Sequence, residues 1–210
     1  MTLVHSPKQS RSQDTQEKLL HALEALLAER FFEQITIRDL AERAGVASGT
    51  IYRRFKDKEA LLPVLYQRYD QRLREWTAAL WEDFDLAASP DVRSRIRHLV
   101  ASHLEFNQQH VPILRTLYLY MRLHGELSLE DIDAQRQGDY VTLLQPILEA
   151  SAQTGHSPGV DRVKLFLLVL LTTLHERTLF GDVKPVRTLE MDDAVFIDEL
   201  TTALEAYLRA

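Results

Sequence analysis

Apolar residues recur every three or four positions along most of the chain, a spacing that predicts helices throughout, with no strand or hairpin signal. Leu19, Leu20, Leu23, Leu26 and Leu27 trace one face up to Phe31, behind a capping-box spacing at Asp14 and Glu17. Ile37, Leu40, Ala41 and Ala44 form a second, shorter face, with Thr36 as its cap and Gly45 just past its last turn. Gly45, Val46 and Ala47 leave a short turn, and a third helix is expected from Ser48 to Phe55, anchored by Val46, Ile51 and Phe55. From Asp57, placed as a cap, a long helix is expected to about Leu80, carrying Leu61, Leu65, Tyr69, Leu73, Trp76 and Leu80. Pro63, about one and a half turns in, should bend it, and such a bent connector would make a lever.

Beyond a loop at 83–89, Ser89 and Pro90 read as a cap and first helical residue, ahead of Val92, Ile96, Leu99, Val100 and Leu104 and an end near Asn107. Pro112 opens ILRTLYLYMRL, apolar on nearly every side and so expected to be buried, and Gly125 closes it. Ser128 and Asp131 start a helix to about Ala152, bent near Pro146. The stretch VKLFLLVLLTTL continues toward Phe180. After Gly181 to Pro185, a last helix from about Met191 to Arg209 should expose Val195, Phe196, Leu200, Leu204 and Tyr207 as one stripe. The expected fold class is all-α: residues 1–12, with Lys8 and Arg11, as a flexible arm, 13–62 as a three-helix helix-turn-helix domain, and 63–210 as a larger helical bundle.

Charge sharpens this picture. The chain is −6 overall, yet from Arg38 to Lys58 six lysines or arginines (38, 43, 53, 54, 56, 58) stand against three acids (39, 42, 57). Screening confines such fields to about 8 Å at physiological salt, so a basic island in an acidic protein marks a polyanion partner better than net charge does. The outward face of the third helix carries Ser48, Gly49, Thr50, Tyr52, Arg53 and Arg54. These small residues, hydroxyls and guanidiniums suit a major groove and its phosphate walls.

Other chemistry is sparse. With no cysteine, thiol catalysis and disulfides are excluded. No HExxH or glycine-rich phosphate loop occurs. His103, Asn107 and His110 share a helix face but lack carboxylate or Cys partners at ligand spacing, so no metal or other cofactor is expected. The first residues do not form a signal peptide, and the apolar run Leu165 to Leu171 is far short of the roughly 18 residues of a membrane span. A cytoplasmic protein without a membrane partner is expected.

The run Thr36, Leu40, Ala41, Ala44, Gly45, Val46, Gly49, Thr50, Ile51, Tyr52, Phe55, Lys58, Glu59, Leu61 and Leu62 resembles the DNA-binding domain of the TetR family of transcription factors. The resemblance implies an all-helical homodimer joined through its last two helices, two recognition helices on a near-palindromic operator, and release when a small molecule binds the C-terminal domain. It further implies that Arg38, Ser48, Gly49 and Arg53 meet base edges or the groove, and that Thr36, Thr50, Tyr52, Arg54 and Lys58 meet phosphates. Two positions depart from the usual pattern. Ala47 stands where a capping serine is common, leaving Ser48 to take the cap. Arg54 stands where histidine is common, adding a permanent charge that should alter operator preference.

An effector cavity implied by the same resemblance would use Phe106, Leu117, Tyr118, Met121, Leu144, Phe166 and Leu170 as apolar walls. His103, Asn107, Arg122, His124, His175 and Glu176 would be its few polar groups. The expectation is a ligand-responsive repressor and not an enzyme. An activator built from the same parts, a helical enzyme or carrier retaining the motif, and a protein-interaction module remain alternatives.

Overall fold

The computed structural model describes residues 7–125, 127, 130–184, 186–189 and 191–210; the first six residues of the expected arm, Ser128 and Pro185 lie outside the described residues. Among the described residues the fold is all-α, with helices α1 (Pro7–Glu29), α2 (Ile37–Ala44), α3 (Ser48–Tyr52), α4 (Leu62–Ala79), α5 (Val92–Gln109), α6 (Val111–His124), α7 (Glu130–Gln153), α8 (Val160–Phe180) and α9 (Asp193–Arg209). Single 3₁₀ turns at Phe32–Gln34, Glu59–Leu61 and Val186–Leu189 join some of them. None of the helices described is long and apolar enough to cross a membrane.

Two compact units are present. The first takes α1 to α3, α4 as far as Tyr69, and α6; the second takes α4 from Asp70, α5, α7, α8 and α9. Thus α6 groups with the amino-terminal helices, although the sequence boundary at 62/63 places it in the second domain.

In the first unit Leu19, Leu23 and Leu27 of α1, Leu40 of α2, Ile51 of α3, and Leu61, Leu62 and Leu65 are all almost completely buried. Lys58 ties this core to the Phe32–Gln34 turn, its ammonium donating to the carbonyls of Phe32 (2.9 Å) and Glu33 (3.4 Å) and lying 4.5 Å over the Phe32 ring. On α6, Arg115 Nη2 donates to the Leu27 carbonyl at 3.1 Å, and the guanidinium stacks 4.5 Å from the Phe31 ring. A cation there satisfies one of the orphan carbonyls at the end of α1 and complements its dipole.

Several expectations are corrected. Residues 7–12 of the expected arm are helical, since α1 starts at Pro7, where a missing backbone donor in the first turn costs nothing. The third helix is shorter than 48–55: the N–H groups of Arg54 and Phe55 both donate to the Ile51 carbonyl at 2.9 Å, a tightened turn that ends the helix while keeping Phe55 buried. The long helix does not begin at Asp57. That carboxylate instead accepts from the Ala60 N–H at 2.9 Å, capping the 3₁₀ turn, and Pro63 becomes the second residue of α4. Proline is tolerated there, so it does not bend the helix in mid-course. The cap of α5 is Asp91 rather than Ser89, accepting from the Ser94 N–H at 2.8 Å.

In the second unit α5 runs antiparallel to α9, since residues ascending along one meet residues descending along the other: Arg93 with Glu205 (3.3 Å), Arg97 with Asp198 (2.8 Å) and Gln108 with Asp193 (2.9 Å). Between them lies a core built from Ile96, Leu99 and Val100 of α5, Leu144 and Ile147 of α7, Phe166, Leu170 and Leu174 of α8, and Phe196, Leu200, Leu204 and Leu208 of α9. The stripe expected to be exposed on the last helix is therefore largely internal. Phe196, Leu200 and Leu204 pack inward, Tyr207 is half-buried, and Val195 faces solvent. Pro146 sits inside α7, and the carbonyls around it have side-chain donors, Trp81 Nε1 on Leu143 (3.2 Å) and buried Arg95 on Pro146.

Candidate functional site

The turn between α2 and α3 is closed by local chemistry that the sequence specifies. Thr36 and Asp39 make a reciprocal capping box, the Asp39 N–H donating to Thr36 Oγ1 (3.1 Å) and the Thr36 N–H to Asp39 Oδ2 (2.9 Å). These bonds, with a smaller contribution from Arg30 at 3.2 Å, hold the Asp39 carboxyl below the usual carboxylate range. At the other end Gly45 adopts φ 66°, ψ 36°, and its N–H donates to the carbonyls of Ala41 and Glu42. A side chain there would be strained by the backbone alone, since an added Cβ would meet nothing within 4 Å.

With α3 anchored through Ile51, the rest of its surface is left outward. Ser48, Gly49, Tyr52, Arg53 and Arg54 are exposed, Tyr52 at 59%, and Thr50 is half-buried. Arg53 Nη2 donates to Thr50 Oγ1 at 3.1 Å, which orients the guanidinium along the helix. The cap of α3 is Ala47, without a side-chain bond, so Ser48 is the first helical residue and its hydroxyl is not used as the cap. Arg38 is exposed on α2. Seven of the nine candidate contacts thus lie on α3, its last turn or exposed α2 surface, while two have structural duties: Thr36 in the capping box and Lys58 on the Phe32 carbonyl. Arg43 pairs with Glu29 at 2.8 Å.

The candidate effector residues divide between the units. Leu117, Tyr118, Met121 and Arg122 lie on α6 of the first, where Leu117 is buried and Arg122 both donates to the Tyr118 hydroxyl (2.7 Å) and stacks 4.8 Å from its ring. In the second unit Leu144, Phe166 and Leu170 belong to the close-packed core. His103, Phe106 and Asn107 are buried along α5, and the Trp76 ring lies 4.9 Å from His103 and 5.2 Å from Phe106. Burial, then the charge of His175, pushes the His103 pKa down to about 3. His175 on α8 is also lowered, by burial and then by Arg136. Glu176 instead lines a groove of about 440 Å³ with Thr172, Arg177, Val186, Leu189 and Met191.

Sequence reasoning missed Trp76 as the neighbour of His103. It also missed the buried Asp70 carboxylate, flanked by Arg74 (2.7 Å) and Arg136 (3.1 Å). The spacing of Asp70 and Arg74, four apart on a helix, was a readable signal; the pairing with Arg136, 66 residues away, was not.

A buried hydrophobic platform that presents a short, hydroxyl-rich helix after a glycine turn, with Arg53 and Arg54 directly behind it, is the arrangement of a helix-turn-helix domain. Residues 19–65 match the family described as bacterial regulatory proteins, tetR family. The amino-terminal part of the chain is thus similar to the DNA-binding domain of the TetR family. It is 31% identical over 94 residues to the HTH-type transcriptional repressor KstR2 of Mycobacterium tuberculosis, a match covering 44% of each protein. This chain therefore spans less than half the length of that relative. It is 25% identical over 160 residues to the fatty acid metabolism regulator protein of Bacillus subtilis, covering 76% of this chain and 79% of that one. In fold it is similar to the transcriptional regulator FadR from Bacillus subtilis, solved in complex with stearoyl-CoA. The TM-score is 0.59 at 20% identity, over 92% of this chain and 97% of the other.

Proposed function

We propose that this chain is a cytoplasmic, sequence-specific DNA-binding transcriptional regulator, a homodimeric repressor released from a near-palindromic operator by a small, largely apolar effector. The observation that carries the reading is α3 and the two residues after it: Ile51 is buried for anchorage, while Ser48, Gly49, Tyr52, Arg53 and Arg54 are exposed and Thr50 is half-buried. Arg38, Ser48, Gly49 and Arg53 serve base edges and groove approach, and Thr50, Tyr52 and Arg54 serve phosphates. Thr36 and Lys58 support the phosphate contacts from positions already tied into the fold.

Dimerisation uses the outer surface of the last two helices. While Phe166, Leu170 and Leu174 point inward, α8 leaves Leu165, Leu168 and Val169 exposed at 43%, 57% and 38%. On α9 Val195, Ala203 and Ala206 are exposed, with small side chains that permit close helix crossing. Paired recognition helices about 34 Å apart match one turn of duplex. An effector that favours another spacing misplaces several contacts of about 1 to 3 kcal/mol each, which suffices for release.

The test is a gel shift of the purified chain on the DNA flanking its own gene, with and without apolar compounds. Retarded DNA that outcompetes random duplex, and is freed by an apolar compound, supports the reading. Equal retardation of flanking and random DNA removes it.

A further inference from the structure

We infer that the interior of the second unit recognises the uncharged head of an apolar ligand, with Asn107 and His103 bonding an alcohol or carboxamide group rather than a carboxylate or phosphate. This rests on the reading of the chain as effector-responsive. Asn107 is fully buried, yet neither its Nδ2 nor its Oδ1 has a hydrogen-bond partner. His103, one helical turn away on the same face of α5, is 4% exposed and leaves Nδ1 unpartnered as well. Buried polar groups are nearly always satisfied, so three open valences on one face of α5 mark the place of a missing partner.

The chemistry of that partner follows from what surrounds it. A carboxamide offers one donor group and one acceptor, and a neutral imidazole offers one of each. Both are matched by a group that is itself neutral and both gives and takes hydrogen bonds. His103 is held neutral by its burial, so it brings no charge to meet an anion. The nearby cations have a prior claim: Arg136 and Arg74 flank the two oxygens of Asp70, itself 2% exposed. An anion would have to be stripped of water and then compete with Asp70. The rings of Trp76 and Phe106, 5.2 Å apart and tilted by 33°, supply apolar surface beside His103 for the body of the ligand.

The probes are 1-decanol, decanamide and sodium decanoate at pH 7, where the last is ionised. Binding to the full chain is followed by tryptophan emission, because Trp76 lies beside His103 and the chain has only two tryptophans. Decanol and decanamide should bind at least tenfold more tightly than decanoate. Asn107→Leu, close in shape, should lose that preference while its thermal midpoint stays level or rises, since it removes two unpartnered polar atoms. His103→Phe, which keeps a ring against Trp76, should also weaken neutral-probe binding and serves if the first variant does not fold. Decanoate binding as tightly as decanol, retention of the preference in both variants, or no response to any probe would each overturn the inference. Because binding is read without DNA, loss of the regulator reading in the gel shift would be a separate result.

Discussion

Gly45 and Gly49 are four residues apart and have opposite reasons to be glycine. At Gly45 the backbone is left-handed, so Gly45→Ala should cost about 1 kcal/mol of stability, seen as a lowered thermal midpoint. Gly49 is helical with open space around it, so Gly49→Ala should hold or raise the midpoint by up to about 1 kcal/mol in stability while weakening operator binding. If both variants lost stability equally, the assignment of Gly49 to groove approach would fail. Lys58 differs from Arg53 in the same manner. Lys58→Ala should lower the thermal midpoint as well as DNA affinity, because its ammonium holds the Phe32 carbonyl, whereas Arg53→Ala should leave the midpoint unchanged and weaken operator binding roughly tenfold or more. Unfolding curves beside anisotropy titrations separate the two. Thr36, Gly45 and Ile51 were readable from sequence because caps, left-handed ends and period are local. The tie of Lys58 to a carbonyl 26 residues earlier was not, since nothing local announces it.

Helices carry two kinds of apolar face here, and burial tells them apart. On α8 the inward stripe is Phe166, Leu170 and Leu174, and the outward one is Leu165, Leu168 and Val169. Leu168→Asp and Leu165→Asp together should convert a dimer to a folded monomer, with sedimentation velocity reporting mass and circular dichroism reporting helix content. A double variant that stays dimeric would move the interface elsewhere. On α9 the sequence assigned Phe196, Leu200 and Leu204 to the surface, whereas they are buried. Periodicity shows that a helix has an apolar side but not what lies against it, and α5, about a hundred residues earlier in the chain, covers that side. Element ends were displaced for a related reason. At Asp57 the side chain caps a 3₁₀ turn, and at Asp91 it outcompetes the Ser89–Pro90 signal, choices between neighbouring caps that propensity alone does not rank.

For the whole molecule, buried neutral histidine links stability to pH. The pKa of His103 falls from an ordinary 6.5 to about 3 in the folded state, so between those values the unfolded chain holds the extra proton. Stability is complete above about 6.5 and declines as pH falls, by about 1.4 kcal/mol per pH unit for one proton. His175, lowered in the same direction, adds to the slope. Asp39, Asp91 and Asp193, all lowered, keep their contributions above the ordinary carboxylate value of 3.8 and lose them only as pH falls lower still. Urea unfolding between pH 5 and 6.5 should therefore show a steeper loss for the native chain than for His103→Gln, and equal slopes would remove His103 as the cause. The all-helical class and the position of the motif were legible because they rest on period and on short-range turns. The polar interior was only half legible: His103 and Asn107 share a face in the sequence, but packing brings Trp76 to His103 and Arg136 to Asp70.

The central claim is that α3, with the exposed Arg53 and Arg54 that follow it, reads duplex DNA through an outward cationic face. Its most direct test is fluorescence anisotropy of the intact chain on a labelled duplex from the DNA flanking its gene and on a scrambled duplex, from 50 to 200 mM salt, repeated with Arg53→Ala and Arg54→Ala. The account predicts tighter binding to the flanking duplex, a steep loss of affinity with salt on both, a shallower salt slope for Arg54→Ala, and a loss of discrimination for Arg53→Ala. Binding of neither duplex at 50 mM salt, or binding unchanged in both variants, would contradict it.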